Sequence, residues 1–437
     1  MQLQQSLIFL WLATLASSQN LTESQISSVK DRLAGGAKAS WELGTRAEAL
    51  LEHDAPAFSV FHSPVPPSQS IPFGTQSSIV PVFSIAESVV SSRGNSNNNV
   101  AGPQPLVQDG SAADPASIGV AVLLANWTKK GGQNYEGAAK DQLDFLYQKV
   151  PRASDGAISH RTSDVQIWSD FVYMVPPFLA YYGVLTQNES LISDAHGQIE
   201  LYRDHLRDTD ANNLWKHIVL PNGGSGADGG HWSTGNAWAA AGMIRVLATI
   251  QNSQYADDFK DEQGDLENWI SEIHGGIYQH VIIDVLTAVI RQDSSHLFTN
   301  YADVSISSSG SFYDASSTAL LASTVYRLSL LRDVHHYLPF AENSRKTLFL
   351  TGNNGSLQHF TEDGWLTPVV NPQSFGKQGS ASPEGQAFVL ELQAAWTDWV
   401  NDGSKGANSA RRGPIASRMD LMVASVALIG FGMVLLF

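Results

Sequence analysis

Apolar residues recur at helical spacing along most of the chain from Ile118 onward, without the sustained apolar–polar alternation of half-buried strands. Helix-like apolar spacing also occurs between Thr22 and Glu52. The helices predicted after Ile118 are Ser169–Leu185, Asp194–Leu206, Gly235–Gln251, Asp257–Ile273, Gly276–Ile290, Ser311–Leu331 and Pro383–Val400. The pattern therefore predicts an all-α fold.

The predicted helices are of two kinds. Segment 257–273 carries a single apolar stripe that includes Phe259, Leu266 and Ile270, which is typical of a helix with one buried face. Segments 236–250 and 316–331 are apolar or small on nearly every side, so they are expected to be buried all round. Inner helices ringed by outer helices favour an α/α toroid over a simple bundle.

Segments 62–74, 91–99 and 102–117 are rich in Pro, Ser, Gly and Asn, which predicts irregular connections. We therefore predict a region 19–117, made of an N-terminal helix and irregular segments that belong to the barrel. A helical domain follows over residues 118–402.

The N-terminus carries the apolar run Leu7–Ala16, followed by small residues. This pattern predicts a secretory signal peptide over residues 1–18, since a membrane-spanning helix needs about 20 apolar residues. Secretion would make the Asn-X-Ser/Thr sites usable for N-glycosylation. The four predicted glycosylation sites are Asn20, Asn126, Asn188 and Asn354.

Residues 403–437 are predicted to be a linker and a glycosylphosphatidylinositol-attachment signal. Small residues are followed by a polar spacer and by the apolar tail Leu421–Phe437, which is the attachment pattern. Asn408 is the predicted attachment residue and Gly406 the second choice. The alternative is a retained single-span anchor. Together with the signal and the glycosylation sites, this predicts a eukaryotic cell-surface glycoprotein.

Composition narrows the function. The chain has 437 residues, of which 43% are hydrophobic, so it can bury a core and is not disordered. A formal net charge of −16 argues against nucleic-acid binding. The absence of cysteine excludes disulfides and thiolate chemistry. No metal-binding or nucleotide-binding motif is present, so neither a metal nor another cofactor is predicted.

Asp170 is the predicted catalytic residue. It precedes an apolar helix and lies beside Trp168, close to Phe171 and Tyr173. A carboxyl group desolvated by aromatic rings has a raised pKa and can act as a general acid near neutral pH. The alternative is that Asp170 simply caps the helix, a position where Asp is favoured.

Two segments are predicted to bind a sugar, because they place aromatic rings beside planar polar groups at helix starts. One surrounds Asp170, and the other runs from Trp215 through a Gly-rich stretch to Trp238. Their predicted substrate-binding residues are His160, Arg161, Trp168, His217, His231, Trp232, Thr234, Asn236 and Trp238. The alternative is that Thr234 caps the helix and Trp238 packs in the core.

A third group of polar residues surrounds Asp314 and the late sequence Ser382–Pro383–Glu384. Pro at the first helical position is a helix-start signal. Structural capping is therefore favoured over substrate contact for both.

Six blocks of this chain resemble the six-hairpin glycosidases, the unsaturated glucuronyl and rhamnogalacturonyl hydrolases of glycoside hydrolase families 88 and 105, in their fungal form. The blocks are SHRTSDVQIWSDFVYMVPPFLAYYG (159–183), DAHGQIELYRDHLRD (194–208), LWKH (214–217), HWSTGNAWAAAGM (231–243), SGSFYDASSTALLA (309–322) and SPEGQAFVLELQAAWTDW (382–399). The resemblance covers residues 130–402 and implies an (α/α)6 barrel.

The resemblance also implies a reaction. An aspartic acid protonates the C4–C5 double bond of a terminal unsaturated uronic acid, water adds at C5, and the hemiketal opens to release the remaining sugar. Asp170 matches the acid/base aspartate of this family, His217 matches a substrate-contacting histidine, and Trp232 with Trp238 match its aromatic block.

Two positions depart from the family pattern. Thr234 stands where the family usually has arginine, so His160 or Arg161 is expected to supply the positive charge. A second family aspartate, expected before the helix near Glu136, has no clear counterpart in 129–142.

The sequence therefore predicts a secreted, surface-anchored hydrolase that removes unsaturated uronic acid from pectin- or glycosaminoglycan-type oligosaccharides. Its predicted partners are the oligosaccharide and a membrane bound through the lipid anchor. One alternative is an (α/α)6 endoglycosidase of cell-wall remodelling, for which the adjacent carboxyls Asp257 and Asp258 are the available pair. Another is a catalytically silent carbohydrate-binding surface protein.

Overall fold

A computed structural model describes residues 19–96, 102–291, 295–352 and 355–407. The predicted signal peptide, the attachment residue Asn408 and the glycosylation site Asn354 lie outside these ranges. The helices of the described residues are α1 (Glu23–Gly36), α2 (Ser40–Asp54), α3 (Gln76–Ser96), α4 (Gly119–Trp127), α5 (Tyr135–Gln148), α6 (Phe171–Met174), α7 (Pro176–Thr186), α8 (Glu189–Leu206), α9 (Ser233–Gln251), α10 (Lys260–Arg291), α11 (Ala315–Arg332), α12 (Leu338–Leu348) and α13 (Pro383–Asn401).

The helices form two concentric rings. Six inner helices contact one another in the order α2, α4, α7, α9, α11 and α13, and α13 returns to α2 to close the ring. The outer helices α1, α3, α5, α8, α10 and α12 alternate with them along the chain, and each contacts an inner helix. The predicted all-α fold and (α/α)6 barrel are both confirmed.

The inner helices α9 and α11 are apolar or small on nearly every side because they are enclosed on nearly every side. Every residue of α9 from Ser233 to Ile250 is buried. Gly242 in this helix lies against the carbonyl oxygen of Val172, and a Cβ there would come within 2.0 Å of that oxygen. Glycine at this position of α9 therefore lets α9 and α6 approach closely.

Three details differ from the sequence prediction. Segment 91–99 was expected to be irregular, but α3 continues through Ser96, because Val82, Phe83 and Val89 bury an apolar face against the barrel. The two helices expected over 257–290 form one helix, α10. The helix expected over 169–185 is divided into α6 and α7 at Val175, where Pro176 begins the second helix.

Short antiparallel ladders connect the helices. The pairs are β1 (Ile167–Trp168) with β4 (Ile218–Val219), β2 (Arg207–Asp208) with β3 (Leu214–Trp215), β5 (Phe298–Thr299) with β6 (Tyr313–Asp314), and β7 (Val369–Asn371) with β8 (Ser374–Gly379). All of these strands lie in connections that lead from an outer helix to the next inner helix, so they order the loops at the N-terminal ends of the inner helices.

A buried ionic cluster lies among the inner helices. The guanidinium of Arg245 is 3.0 Å from a carboxylate oxygen of Glu391 and also contacts Glu52. Glu52 in turn lies 3.0 Å from Arg327. Each of these four side chains is almost fully buried, so each charge depends on its partners for stabilisation.

The predicted glycosylation sites Asn20, Asn126 and Asn188 are exposed. Asn188 caps α8 by accepting a hydrogen bond from the Ser190 N–H, and Asn20 accepts one from Arg345. Across the described ranges, no helix is both long enough and apolar enough to cross a bilayer.

Candidate functional site

A pocket of about 190 Å³ opens at the N-terminal ends of the inner helices. Five of the six inner helices, or the loops before them, contribute to it, together with the loop between β7 and β8. It is lined by Trp41, Asp114, His160, Arg161, Trp168, Asp170, Met174, Trp232, Trp238, Pro372, Gln373, Phe375 and Glu384.

Asp170 lies in this pocket, directly before α6. The ladder of β1 with β4 and the hydrogen bond from the Ser169 N–H to the His217 carbonyl hold its backbone in place. Its side chain makes no capping hydrogen bond and accepts one from the Ser169 hydroxyl at 3.2 Å. The capping alternative for Asp170 is therefore wrong.

His217 stands between two carboxylates. Its Nδ1 lies 2.9 Å from Oδ2 of Asp228, and its Nε2 lies 3.5 Å from Oδ2 of Asp170. Asp228 also accepts a hydrogen bond from the Tyr301 hydroxyl at 2.7 Å. Burial opposes the charged form of the imidazole, but the two carboxylates outweigh it and raise the pKa of His217 above its usual value.

The pKa of Asp170 differs from the sequence prediction. Burial alone would raise it, but the neighbouring imidazole of His217 outweighs burial and holds the pKa of Asp170 below its usual value. The prediction of a raised pKa was based on the aromatic residues next to Asp170 in sequence. The imidazole that contacts its carboxyl belongs to His217, which lies 47 residues later in the chain.

Asp114 is the carboxyl that the sequence prediction missed. It lines the pocket before α4 and is buried, and burial, together with the nearby charges of Asp109 and Asp170, raises its pKa to about 7. The segment was expected to be an irregular connection, and the second aspartate was sought near Glu136. Pro115 directly after Asp114 is the helix-start signal that could have identified it.

A backbone bridge brings Asp114 to the site. Ser111 pairs with Arg161, and the Ala112 N–H donates to the carbonyl oxygen of His160 at 2.8 Å. Asp114 Oδ1 then lies 3.3 Å from Nε2 of His160. Two carboxyls distant in sequence thus share one pocket, with pKa values displaced in opposite directions.

Arg161 and His160 play different electrostatic roles. The His160 ring is stacked on Trp168 with centroids 4.8 Å apart, and its complete burial lowers its pKa to about 3. His160 is therefore neutral at physiological pH and cannot supply the positive charge that was expected of it. Arg161, which lies over the Trp168 ring, is the one arginine or lysine among the described residues that line the pocket.

Aromatic side chains form much of the pocket wall. Trp232 donates from its indole N–H to Asn300 at 3.0 Å, and its ring lies 4.4 Å from that of His217. Trp238 packs edge-on against Tyr173 and Phe388 and also lines the pocket. Apolar ring faces of this kind suit the C–H faces of sugars.

Four predicted substrate-binding residues, His217, His231, Thr234 and Asn236, do not line this pocket. His217 lies against Asp170, and the other three make contacts elsewhere. Thr234 donates to Asp314 at 2.7 Å, and α9 is capped at Trp232, so the alternative of a Thr234 cap is wrong. Asn236 bonds to both backbone groups of Trp215. His231 Nδ1 lies 2.8 Å from Asp303. Thr234, Asn236 and His231 therefore connect the segments that surround the pocket and do not face into it.

The third group of polar residues is divided by the structure. Asp314 caps α11 by accepting hydrogen bonds from the Ser316 and Ser317 N–H groups, as expected. Glu384 lines the pocket, whereas Ser382 caps α13.

Asp257, from the pair considered for an endoglycosidase, is exposed and forms an ion pair with Lys260 at 2.8 Å. Neither Asp257 nor Asp258 lines this pocket. Throughout the part of the chain that the structure describes, no group of three or more His, Asp or Glu side chains is placed to hold a metal ion.

Comparisons with known proteins agree with this architecture. The family profile described as Glycosyl Hydrolase Family 88 matches residues 84–356, more than half of the chain. The unsaturated rhamnogalacturonyl hydrolase YesR of Bacillus subtilis is 26% identical over 141 residues, which are 31% of this chain and 40% of that protein. The chain therefore matches less than half the length of this curated relative.

Solved structures show the same fold. A possible member of glycoside hydrolase family 105 from Klebsiella pneumoniae superposes with a TM-score of 0.61 at 15% identity, covering 87% of this chain and 94% of that one. The unsaturated glucuronyl hydrolase of a Bacillus species gives a TM-score of 0.53 at 15% identity, covering 85% and 94%. The matched profile, the closed double ring of helices and these neighbours lead to one conclusion: the chain belongs to glycoside hydrolase family 88.

Proposed function

We propose that this protein removes a terminal unsaturated uronic acid from oligosaccharides by adding water across its C4–C5 double bond. The observation that carries the proposal is the pair Asp114 and Asp170, which face one small aromatic pocket with pKa values displaced in opposite directions. Such separation divides the roles of acid and base between two carboxyls.

The protonation states assign the roles. Asp114, whose pKa is raised to about 7, carries the proton that is given to C4. Asp170, held ionised by His217, takes a proton from the water whose oxygen bonds to C5. The net change is the addition of one water molecule, and the resulting hemiketal opens to release the aglycone. The proton returns from Asp170 to Asp114 through solvent.

Pectin- and glycosaminoglycan-type oligosaccharides are the proposed substrates. The names of similar proteins describe a rhamnogalacturonyl hydrolase and a glucuronyl hydrolase that degrades glycosaminoglycan. The name of another similar structure includes the oligosaccharide dGlcA-Glc-Rha-Glc. Arg161 at the pocket wall suits the negative charge of a uronic acid. The aromatic rings of Trp232 and Trp238 suit the faces of its sugar ring.

The test uses oligosaccharides produced by pectin lyases and by glycosaminoglycan lyases. Their conjugated double bond absorbs ultraviolet light, and hydration removes that absorbance. We expect the absorbance to fall with at least one of the two substrate classes between about pH 5 and pH 7. Unchanged absorbance for every oligosaccharide over that range would contradict the proposal.

We further propose that the protein is secreted and held at the cell surface by a glycosylphosphatidylinositol anchor at Asn408. This part rests on the sequence of residues 1–18 and 403–437. A phosphatidylinositol-specific phospholipase should release the protein from intact cells. Retention after treatment, with a known anchored protein released in the same sample, would favour a single-span anchor.

A further inference from the structure

Glu384 is a pocket residue with a polar atom that has no partner. It lies in the first turn of α13 and lines the same pocket as Asp114 and Asp170. The residue is only 4% exposed, and its Oε2 has no hydrogen-bond partner among the described residues. An unsatisfied buried carboxyl oxygen is unfavourable, and such a group calls for a specific explanation.

Capping does not explain Glu384. The cap of α13 is Ser382, whose hydroxyl accepts from the Gly385 N–H at 2.9 Å. Glu42 occupies a comparable place at the start of the inner helix α2. Its carboxylate accepts hydrogen bonds from the backbone N–H groups of Lys38 and Ala39 at 2.7 and 2.8 Å. Glu384 therefore differs from Glu42 in having an oxygen left for a ligand.

The environment of Glu384 favours its neutral form. Burial, assisted by the charges of Glu42 and Asp314, raises its pKa to about 8. The other ionisable groups that line the pocket are Asp114, His160, Arg161 and Asp170. A protonated carboxyl has one O–H donor, and it adds no negative charge to a pocket that already contains two other carboxyls.

We propose that Glu384, in its neutral form, donates a hydrogen bond from Oε2 to the carboxylate of the bound uronic acid. An O–H donor facing a carboxylate forms a short, charge-assisted hydrogen bond. Ionisation of Glu384 would remove this donor and place two negative charges together. The assignment rests on the proposed function, since it concerns an acidic sugar in that pocket.

The test compares wild type with Glu384→Gln and Glu384→Ala, using an unsaturated uronyl disaccharide. Gln keeps a neutral donor, whereas Ala removes it. At about pH 6, Glu384→Ala should raise KM about tenfold, the factor that 1.4 kcal/mol of lost binding produces, and change kcat less than about threefold. Glu384→Gln should keep KM within about twofold of wild type.

The pH profile separates this role from a structural one. The KM of wild type should rise as the pH increases through about 8, where Glu384 loses its proton, whereas the KM of Glu384→Gln should lack this rise. Glu42→Gln is the matched control: it changes a buried carboxyl in the first turn of an inner helix whose oxygen has backbone partners. At about pH 6, where Glu384 stays protonated in both proteins, its KM should equal that of wild type even if its melting temperature falls.

Three results would overturn the proposal. They are an unchanged KM in Glu384→Ala, a KM in Glu384→Gln as high as in the folded Ala variant, and an equal rise of KM in Glu42→Gln. If wild type shows no turnover, the proposed function fails separately. Calorimetric Kd values for the same disaccharide then replace KM in the comparison and still decide the role of Glu384.

Discussion

Nε2 of His217 lies 3.5 Å from Oδ2 of Asp170. The contact places an imidazole, whose own pKa is raised, behind the carboxylate and lowers the pKa of Asp170. The opposite nitrogen of the ring faces Asp228, so the orientation of the imidazole is fixed from outside the pocket. Under the proposed function, the ionised carboxylate of Asp170 is the base that takes a proton from water.

Asp170→Asn should abolish turnover but preserve binding. The amide has nearly the shape of the carboxyl but cannot take a proton, so kcat should fall by about a thousandfold, with the Kd for the oligosaccharide within about threefold of wild type. Stopped assays for kcat and calorimetry for Kd measure the two effects. Asp210→Asn, at an exposed carboxyl, is the control. Binding without turnover in both wild type and Asp170→Asn would instead favour a carbohydrate-binding protein without catalysis, and an equal, measurable kcat in the two would exclude Asp170 as the base.

Asp114→Asn should also lower kcat by about a thousandfold, because the variant lacks the proton given to C4. In wild type, kcat/KM should decline as the pH rises through about 7, where Asp114 ionises. The value of kcat/KM should also decline at acidic pH, where Asp170 becomes protonated. The pH profile of kcat/KM tests both limbs. If Asp114→Asn kept more than about a tenth of wild-type kcat, Asp170 would have to give and take the proton alone.

Asp228→Asn should act through His217. Loss of this carboxylate removes one cause of the raised pKa of the imidazole, so His217 becomes neutral at lower pH and the pKa of Asp170 rises. The acid limb of the profile should therefore move to higher pH, and kcat should fall roughly tenfold to a hundredfold. A reduced kcat with an unmoved acid limb would assign Asp228 a purely structural role.

The sequence predicted the barrel well because its determinants are local. Helices such as α9 and α11 are apolar or small on nearly every side, and that pattern identifies these two as inner helices. It did not identify α13, whose single apolar stripe indicated a half-buried helix although it lies in the inner ring. The site was predicted only in part. Asp170, Trp168 and Trp232 occur in blocks with a recognisable pattern, and all three line the pocket.

What the sequence could not supply are contacts between distant segments. Asp114 reaches the pocket through the bridge of Ser111 with Arg161, and no local pattern encodes that pairing. The pKa of Asp170 depends on His217, and Thr234 faces Asp314 instead of the pocket. Each of these outcomes is decided by tertiary packing at the barrel mouth.

The buried ionic cluster should contribute more to the free energy of unfolding than an exposed ion pair does. Arg245→Met would leave Glu52 and Glu391 buried without this partner, so the free energy of unfolding should fall by about 3 to 5 kcal/mol. Lys260→Met, at an exposed ion pair, should change it by less than about 1 kcal/mol. Urea denaturation measures both. A loss of similar size in the two variants would contradict the importance of the cluster.

The most direct test of the central claim follows the reaction in D₂O by proton NMR. If Asp114 delivers a proton to C4 while water adds at C5, the released uronic acid must carry one deuterium at C4 and no C4–C5 double bond. Release of a sugar that still contains the double bond and carries no deuterium at C4 would mean direct cleavage of the glycosidic bond, and it would contradict the account.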